Sequence, residues 1–260
     1  LHRFDNQQPI PVNCELRIVN SLSGQSALIT GGAKRIGRAI ALELASAGAD
    51  IALTYRTSAD EAVETVDAIE QLGRRAYAIE CNVRSEASVR EAVAAALAHL
   101  GRLNVLVNNA GLFETAPLDQ IIVEQWDEVF ETNARGPFLM AREALPHLRA
   151  THGRIVNLGS LGGLQPWAGH AHYCASKAAL HMLTQAQAKA FAPEVAVNCV
   201  APGWIEQEEE AGPLSERFAA KTPMQRNGTA EDVAKAVLYF AAGAPFITGQ
   251  ILTVDGGLSL

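Results

Sequence analysis

Seven short apolar runs punctuate the chain: 26–30 (SALIT), 50–55 (DIALTY), 76–80 (AYAIE), 104–108 (NVLVN), 154–159 (RIVNLG), 195–200 (VAVNCV) and 250–254 (QILTV). They are rich in β-branched residues and lack the strict alternation of a half-buried strand, which predicts interior strands of a parallel sheet. Alanine-rich stretches with helical character lie between them, over 36–47, 59–72, 86–99, 123–149, 174–191 and 230–241. Alternation of this kind predicts a Rossmann-like, doubly wound α/β fold, with a seven-stranded parallel sheet flanked by helices. No Gly-, Pro- or Ser-rich linker divides the array, so residues 23–260 are expected to form a single domain. Residues 1–22 are polar, carry Pro9 and Pro11, and read as an N-terminal extension lying on the body or on a partner subunit.

Composition narrows the function without choosing it. The 260 residues are 48% hydrophobic and 19% charged, which suits a large buried core and excludes a disordered chain. With 28 acidic and 21 basic side chains the net charge is -7, and no basic field marks a nucleic-acid groove. No apolar run reaches the roughly 18 to 20 residues of a membrane span, and the first twenty lack the apolar core of a secretory signal. Cys14, Cys81, Cys174 and Cys199 are too scattered for a disulfide framework or a CxxC metal site, and the seven histidines have no ligand-like spacing. A reducing, cytoplasmic setting and catalysis without metal are expected.

The first strand runs directly into TGGAKRIG, Thr30 to Gly37, and then into a helix. Gly31 and Gly32 permit a sharp turn, Gly37 lets helix and sheet approach closely, and a helix N-terminus offers unpaired N–H groups to a pyrophosphate. The second strand ends in Tyr55, Arg56, Thr57 and Ser58, without the acid that would hold a ribose diol; Asp50 lies at its other end. Arg56 and Ser58, with Lys34 or Arg35 nearby, suit a 2′-phosphate through charge-assisted hydrogen bonds, which favours NADP(H). The alternative reading of Lys34, Arg35 and Arg56 is a set of solvated surface cations.

At 173–177 the run YCASK spaces Tyr173 and Lys177 four apart at a helix start, on one face. A neighbouring ammonium favours the phenolate and brings Tyr173 toward the range useful for proton transfer. Thirteen residues earlier, Ser160 follows a strand, where its hydroxyl can meet a substrate carbonyl. TGxxxxxG, NNAG at 108–111, Asn133, Ser160, Tyr173, Lys177, PG at 202–203 and DGG at 255–257 occur in order. Over about residues 23–260 the chain resembles the short-chain dehydrogenase/reductase family.

That resemblance implies an NADPH-dependent reductase of a carbonyl compound, with Tyr173 as general acid. It further implies that Lys177 lowers the Tyr173 pKa and binds the nicotinamide ribose, that Ser160 polarises the carbonyl, and that Asn133 holds a water linking Lys177 to solvent. Residues implied at the cofactor are Gly31, Lys34, Arg35, Ile36 and Gly37 in the turn, and Tyr55, Arg56 and Ser58 at the second strand end. Asn82 and Val83 match the segment flanking adenine, where the family more often has Asp than Asn82. Asn109, Ala110 and Gly111 match the strand end beside the adenosine ribose, and Pro202, Gly203 and Ile205 the segment along the carboxamide. Gln207 stands where the family often has Thr. A homotetramer is implied, with interfaces on the helices at 123–149 and 174–191 and on the last helix and strand.

Arg35 replaces a glycine of the usual turn, and in this the chain resembles pteridine and dihydromonapterin reductases. RIVNLGSLGG and APEVAVNCVAPGWI resemble the 3-oxoacyl-[acyl-carrier-protein] reductases instead. The substrate is therefore expected to be a 3-oxoacyl thioester or similar ketone, with a dihydropterin, or a non-enzymatic nucleotide-binding role, as alternatives. A substrate loop region is expected at about 204–228. There Glu206, Glu208, Glu209 and Glu210 form a negative patch that either repels an acidic carrier protein or is a solvated helix start. Trp167 and Trp204 are candidates to border the pocket, and His170 and His172 to line its mouth.

Overall fold

A computed structural model of the protein describes residues 21–206 and 212–260. The body begins by Leu22, which is fully buried and donates its N–H to the Ala47 carbonyl. The extension before it, from residue 1 to 20, lies outside the described residues, as do Gln207 and the glutamates at 208–210.

All seven strands form and pair in parallel: β1 (Ser26–Ile29), β2 (Asp50–Tyr55), β3 (Ala76–Glu80), β4 (Val105–Asn108), β5 (Arg154–Leu158), β6 (Ala196–Pro202) and β7 (Ile251–Val254). Their spatial order is β3-β2-β1-β4-β5-β6-β7. The chain winds outward from β1 in one direction and from β4 in the other, so the crevice between their carboxyl ends is the switch point where such sheets bind ligands. β1, β4 and most of β5 are buried on both faces, which suits their largely apolar runs.

Helices α1 (Arg35–Ser46) and α2 (Ala59–Gln71) cover one face together with α8 (Ala230–Ala242). Helices α3 (Glu86–Leu100), α5 (Gly136–Ala150) and α6 (Ala171–Phe191) cover the other. Ile40, Leu44 and Val237 seal the first layer, and Leu106, Met140 and Leu148 the second. Among the described residues no helix is long and apolar enough to cross a membrane.

Three departures from the sequence reading matter. The stretch 123–149 is not one helix: α4 (Val123–Phe130) and α5 are joined by a π-helical turn at Glu131–Arg135 that contains Asn133. Such π-turns are frequent at functional sites, because the extra residue re-aims side chains. Helix α6 starts at Ala171 rather than 174, which places Tyr173 inside the first turn. The stretch 204–228 contains a further helix, α7 (Pro213–Lys221). On α5 and α6, Leu139 and Leu180 belong to the core, while Phe138 and Met182 are exposed.

Candidate active site

The Gly31 turn is built by tight contacts that spacing alone did not reveal. Gly31 has φ +63°, in the left-handed region, and a Cβ there would lie 3.1 Å from Ala110 Cα. A Cβ on Gly37 would collide with the Gly31 carbonyl oxygen, so Gly37 brings helix α1 against the turn itself. Gly32 is the one that meets the sheet, where its Cβ would lie 2.7 Å from Leu53 Cβ. Arg35 is the first residue of α1 and has φ +52°. A left-handed side-chain-bearing residue costs about 1–2 kcal/mol, which accounts for glycine being usual there and makes this arginine a strained choice.

Asn109 acts on this turn as a tie. Its Nδ2 donates to the Thr30 and Gly31 carbonyls, both at 2.9 Å, while Thr30 Oγ1 accepts the N–H groups of Asn109 and Ala110 at 3.0 Å. The α1 N-terminus has neither a side-chain cap nor an acid in its first turn. By contrast α3 is capped by Ser85 and α8 by Thr229 with Asp232. A cradle that a Cβ would fill, next to uncapped helical N–H groups, fits a pyrophosphate.

At the β2 end, Tyr55 is half-buried and Arg56 exposed, its guanidinium 3.7 Å from Glu128. Ser58 occupies the position before α2 with its hydroxyl making no cap. Lys34 pairs with Glu61 at 3.3 Å on the surface. Asn82 accepts the Arg84 N–H in its own turn, and Val83 is buried against Gly136. Pro202 ends β6, Gly203 donates to Val254 and Ile205 bridges Gly228. These segments all stand at the carboxyl edge of the sheet.

Ser160 follows β5, its hydroxyl accepting the Gly162 N–H at 3.0 Å and lying near enough to the Tyr173 phenol to act on its ionisation. Burial pushes Tyr173 up to about 12, with Ser160 pulling only partly back. The shift thus runs opposite to the one expected from Lys177. The reason is geometric: Lys177 Nζ lies 5.8 Å from the ring centroid and donates to the Leu158 carbonyl at 2.7 Å. Burial in turn lowers Lys177 to about 8.

Asn133 is fully buried and works as a clamp. Its Oδ1 accepts the Leu112 N–H at 2.8 Å, and its Nδ2 donates to Leu112 O and to Ser176 Oγ. The point that a Cβ on Gly111 would occupy lies 3.5 Å from Asn133 Oδ1 and 3.6 Å from Lys177 Nζ, so both side chains converge on Gly111.

Aromatic rings surround the phenol. Trp167 is nearly parallel to Tyr173 at 6.3 Å, and Phe113 stands edge-on to it at 4.8 Å while stacking on His170 at 4.5 Å. Phe113 is 55% exposed, whereas His172 is fully buried 3.7 Å from Glu114 and so does not line the mouth. Trp204 instead stacks on Phe218 of α7 at 4.2 Å. Phe113 was not singled out in the sequence, and neither was His181, although its position four residues beyond Lys177 was a usable signal. Among the described residues no group of three or more His, Cys, Asp or Glu is arranged to hold a metal.

A doubly wound sheet with a glycine turn at its switch point and a Ser–Tyr–Lys cluster at the same edge defines a dinucleotide-dependent type of α/β protein. A family model described as enoyl-(acyl carrier protein) reductase matches residues 31–259. The 3-oxoacyl-[acyl-carrier-protein] reductase FabG of Staphylococcus epidermidis is 36% identical over 240 residues, covering 90% of this chain and 98% of that protein. The 3beta-hydroxysteroid dehydrogenase 1 of Eggerthella lenta is 35% identical over 250 residues, 93% of this chain and 96% of that one. A short chain dehydrogenase from Burkholderia cenocepacia, solved in complex with NADP, has a TM-score of 0.87 and 39% identity over 92% of this chain and 100% of its own. The chain belongs to the short-chain dehydrogenase/reductase family.

Proposed function

We propose that the protein is an NADP(H)-dependent oxidoreductase that reduces a ketone, with Tyr173 as the general acid. The observation that carries this reading is the convergence of the Tyr173 phenol, the Ser160 hydroxyl and the Lys177 ammonium at the edge where the Gly31 turn ends. Gly31, Lys34, Arg35, Ile36 and Gly37 would hold the pyrophosphate, and Asn82, Val83, Asn109, Ala110 and Gly111 the adenosine side. Pro202, Gly203 and Ile205 would flank the carboxamide, and Tyr173 and Lys177 the ribose next to it. When bound, a reduced nicotinamide supplies the hydride; the protein supplies position and a proton.

Ser160 orients the carbonyl oxygen toward the phenol and donates a hydrogen bond to it as negative charge develops. Tyr173 donates its proton to that oxygen. Lys177 stabilises the phenolate left behind, and the proton returns through water held between Lys177 and Asn133 beside Gly111.

Arg56 and Ser58 would bind the 2′-phosphate. Among the described residues Arg56 makes an exposed pair with Glu128, and such pairs are worth about 0–1 kcal/mol, so a phosphate displaces it at little cost. Arg56→Ala should weaken NADPH about tenfold or more and leave NADH within about twofold, measured as the two dissociation constants. Equal weakening of both would move the phosphate site elsewhere.

The class of ketone is the finer part of the reading. A 3-oxoacyl thioester is supported by the resemblance to the Staphylococcus reductase, and a ketone on a flat ring by the Phe113, Trp167 and Tyr173 walls and by the Eggerthella steroid relative. The dihydropterin alternative rests on Arg35. NADPH oxidation against a 3-oxoacyl thioester, a bicyclic ketone, a diketone and a dihydropterin, with NADH in parallel, tests all of these; no turnover of any of them rejects the enzyme reading. A cytoplasmic homotetramer completes the proposal, supported by exposed Phe138 and Met182 on α5 and α6 and by Tyr239 and Leu252 on α8 and β7.

A further inference from the structure

Helix α6 holds the end of β5 through more than its lysine. Tyr173, Lys177 and His181 recur one turn apart, on the face that packs against β6 and the turn after Ser160. Lys177 takes the Leu158 carbonyl at 2.7 Å. One turn on, His181 is only 4% exposed, and its Nε2 accepts the Ser160 N–H at 3.4 Å. The intervening Gly159 has no room for a side chain. A Cβ there would run into His181 Nε2 and lie 2.7 Å from Cys199 Sγ. Gly163, beyond the serine, is closed by the same ring, since its Cβ would lie 2.6 Å from His181 Cε1. The imidazole is wedged between the two glycines that flank the Ser160 turn.

We infer that His181 is a positioning residue: its uncharged ring accepts the Ser160 N–H and thereby fixes the direction in which the Ser160 hydroxyl meets Tyr173 and the substrate carbonyl. An imidazolium has no lone pair at Nε2 and cannot make this bond. The surroundings keep the ring neutral. Burial first, and then the Lys177 charge on the same helix, lower His181 to about 4. The group facing it from β6, the Cys199 thiol, is pushed up to about 12 by burial and brings no negative charge. From the serine turn the ring meets backbone, the Ser160 N–H together with Gly159 and Gly163.

This inference rests on the reductase reading, and its test separates the two. With NADPH and the best ketone of the panel, His181→Phe should lower kcat about 10- to 100-fold with the KM for NADPH unchanged within about twofold. His181→Gln, which restores an acceptor near the Nε2 position, should recover most of that loss. A Phe variant with wild-type kcat, or a Gln variant as slow as the Phe variant at equal thermal stability, overturns the assignment. If neither variant folds, long-range 1H–15N spectra of the wild-type imidazoles decide it. The expected signature is an Nδ1–H tautomer that stays neutral down to about pH 5, and a proton on Nε2 refutes it. Wild-type protein that turns over no carbonyl refutes the reductase reading, while the tautomer still reports on His181.

Discussion

Tyr173→Phe should lower kcat for ketone reduction about a thousandfold, with the NADPH dissociation constant unchanged within about twofold. The substitution removes only the hydroxyl. The ring keeps its contacts with Trp167 and Phe113, so the fold and the wall of the pocket persist. What disappears is the one acid aimed at the carbonyl oxygen. Because burial holds Tyr173 near 12, the phenol is protonated throughout the physiological range, and its ionisation does not limit the reductive direction. Lys177, at about 8, is the group that titrates near neutrality. The rate of reduction should therefore be flat below about pH 8 and fall above it as the ammonium is lost. Steady-state NADPH oxidation across pH measures both effects. A Phe variant with a tenth or more of the wild-type rate would remove Tyr173 from the proton-transfer role.

Lys177→Met should abolish turnover and at the same time stabilise the protein at neutral pH by about 1–3 kcal/mol. The ammonium is buried and, among the described residues, donates a hydrogen bond to the Leu158 carbonyl with no carboxylate beside it, so its charge is poorly compensated in the folded state. A methionine of similar length fills the same channel without that penalty. The sign with pH follows from linkage. The folded pKa of about 8 lies below the ordinary 10.5, so between these values the unfolded chain binds more protons than the native one. The destabilisation is then fully present below about pH 8 and fades as pH rises toward 10.5. Denaturant melts of both proteins at pH 7 and pH 10 should show the advantage of the variant shrinking at the higher pH. A variant less stable than wild type at pH 7 would mean that Lys177 is held by interactions that outweigh its burial. Stability given up at a functional group in this way is a common feature of enzyme sites.

Much of the architecture is legible in the sequence alone. Strand runs such as 26–29 and 105–108 are buried where they stand, and apolar runs separated by alanine-rich helices admit few other packings. The Gly31 turn and the Tyr173–Lys177 pair were legible for the same reason: each depends on neighbours within one turn of chain. Helix limits were less so. The stretch 123–149 has Gly136 and Pro137 just beyond its π-helical turn at 131–135, and that turn holds Asn133, whose amide is tied to Leu112 and Ser176 from distant parts of the chain.

The linear pattern therefore determined the element order, the parallel sheet, the glycine turn and the shared helix face of Tyr173 and Lys177, since periodicity, turn chemistry and i,i+4 spacing are local properties. Tertiary structure alone decided what each group experiences. Asn109 ties the turn through Thr30 and Gly31, about eighty residues away in sequence, once β1 and β4 lie side by side. Gly37 is required by the Gly31 carbonyl, not by the sheet. Tyr173 is raised rather than lowered, and His181 reaches Ser160, because desolvation and hydrogen-bond partners depend on which strand ends and helix faces converge. No one-dimensional pattern encodes that convergence.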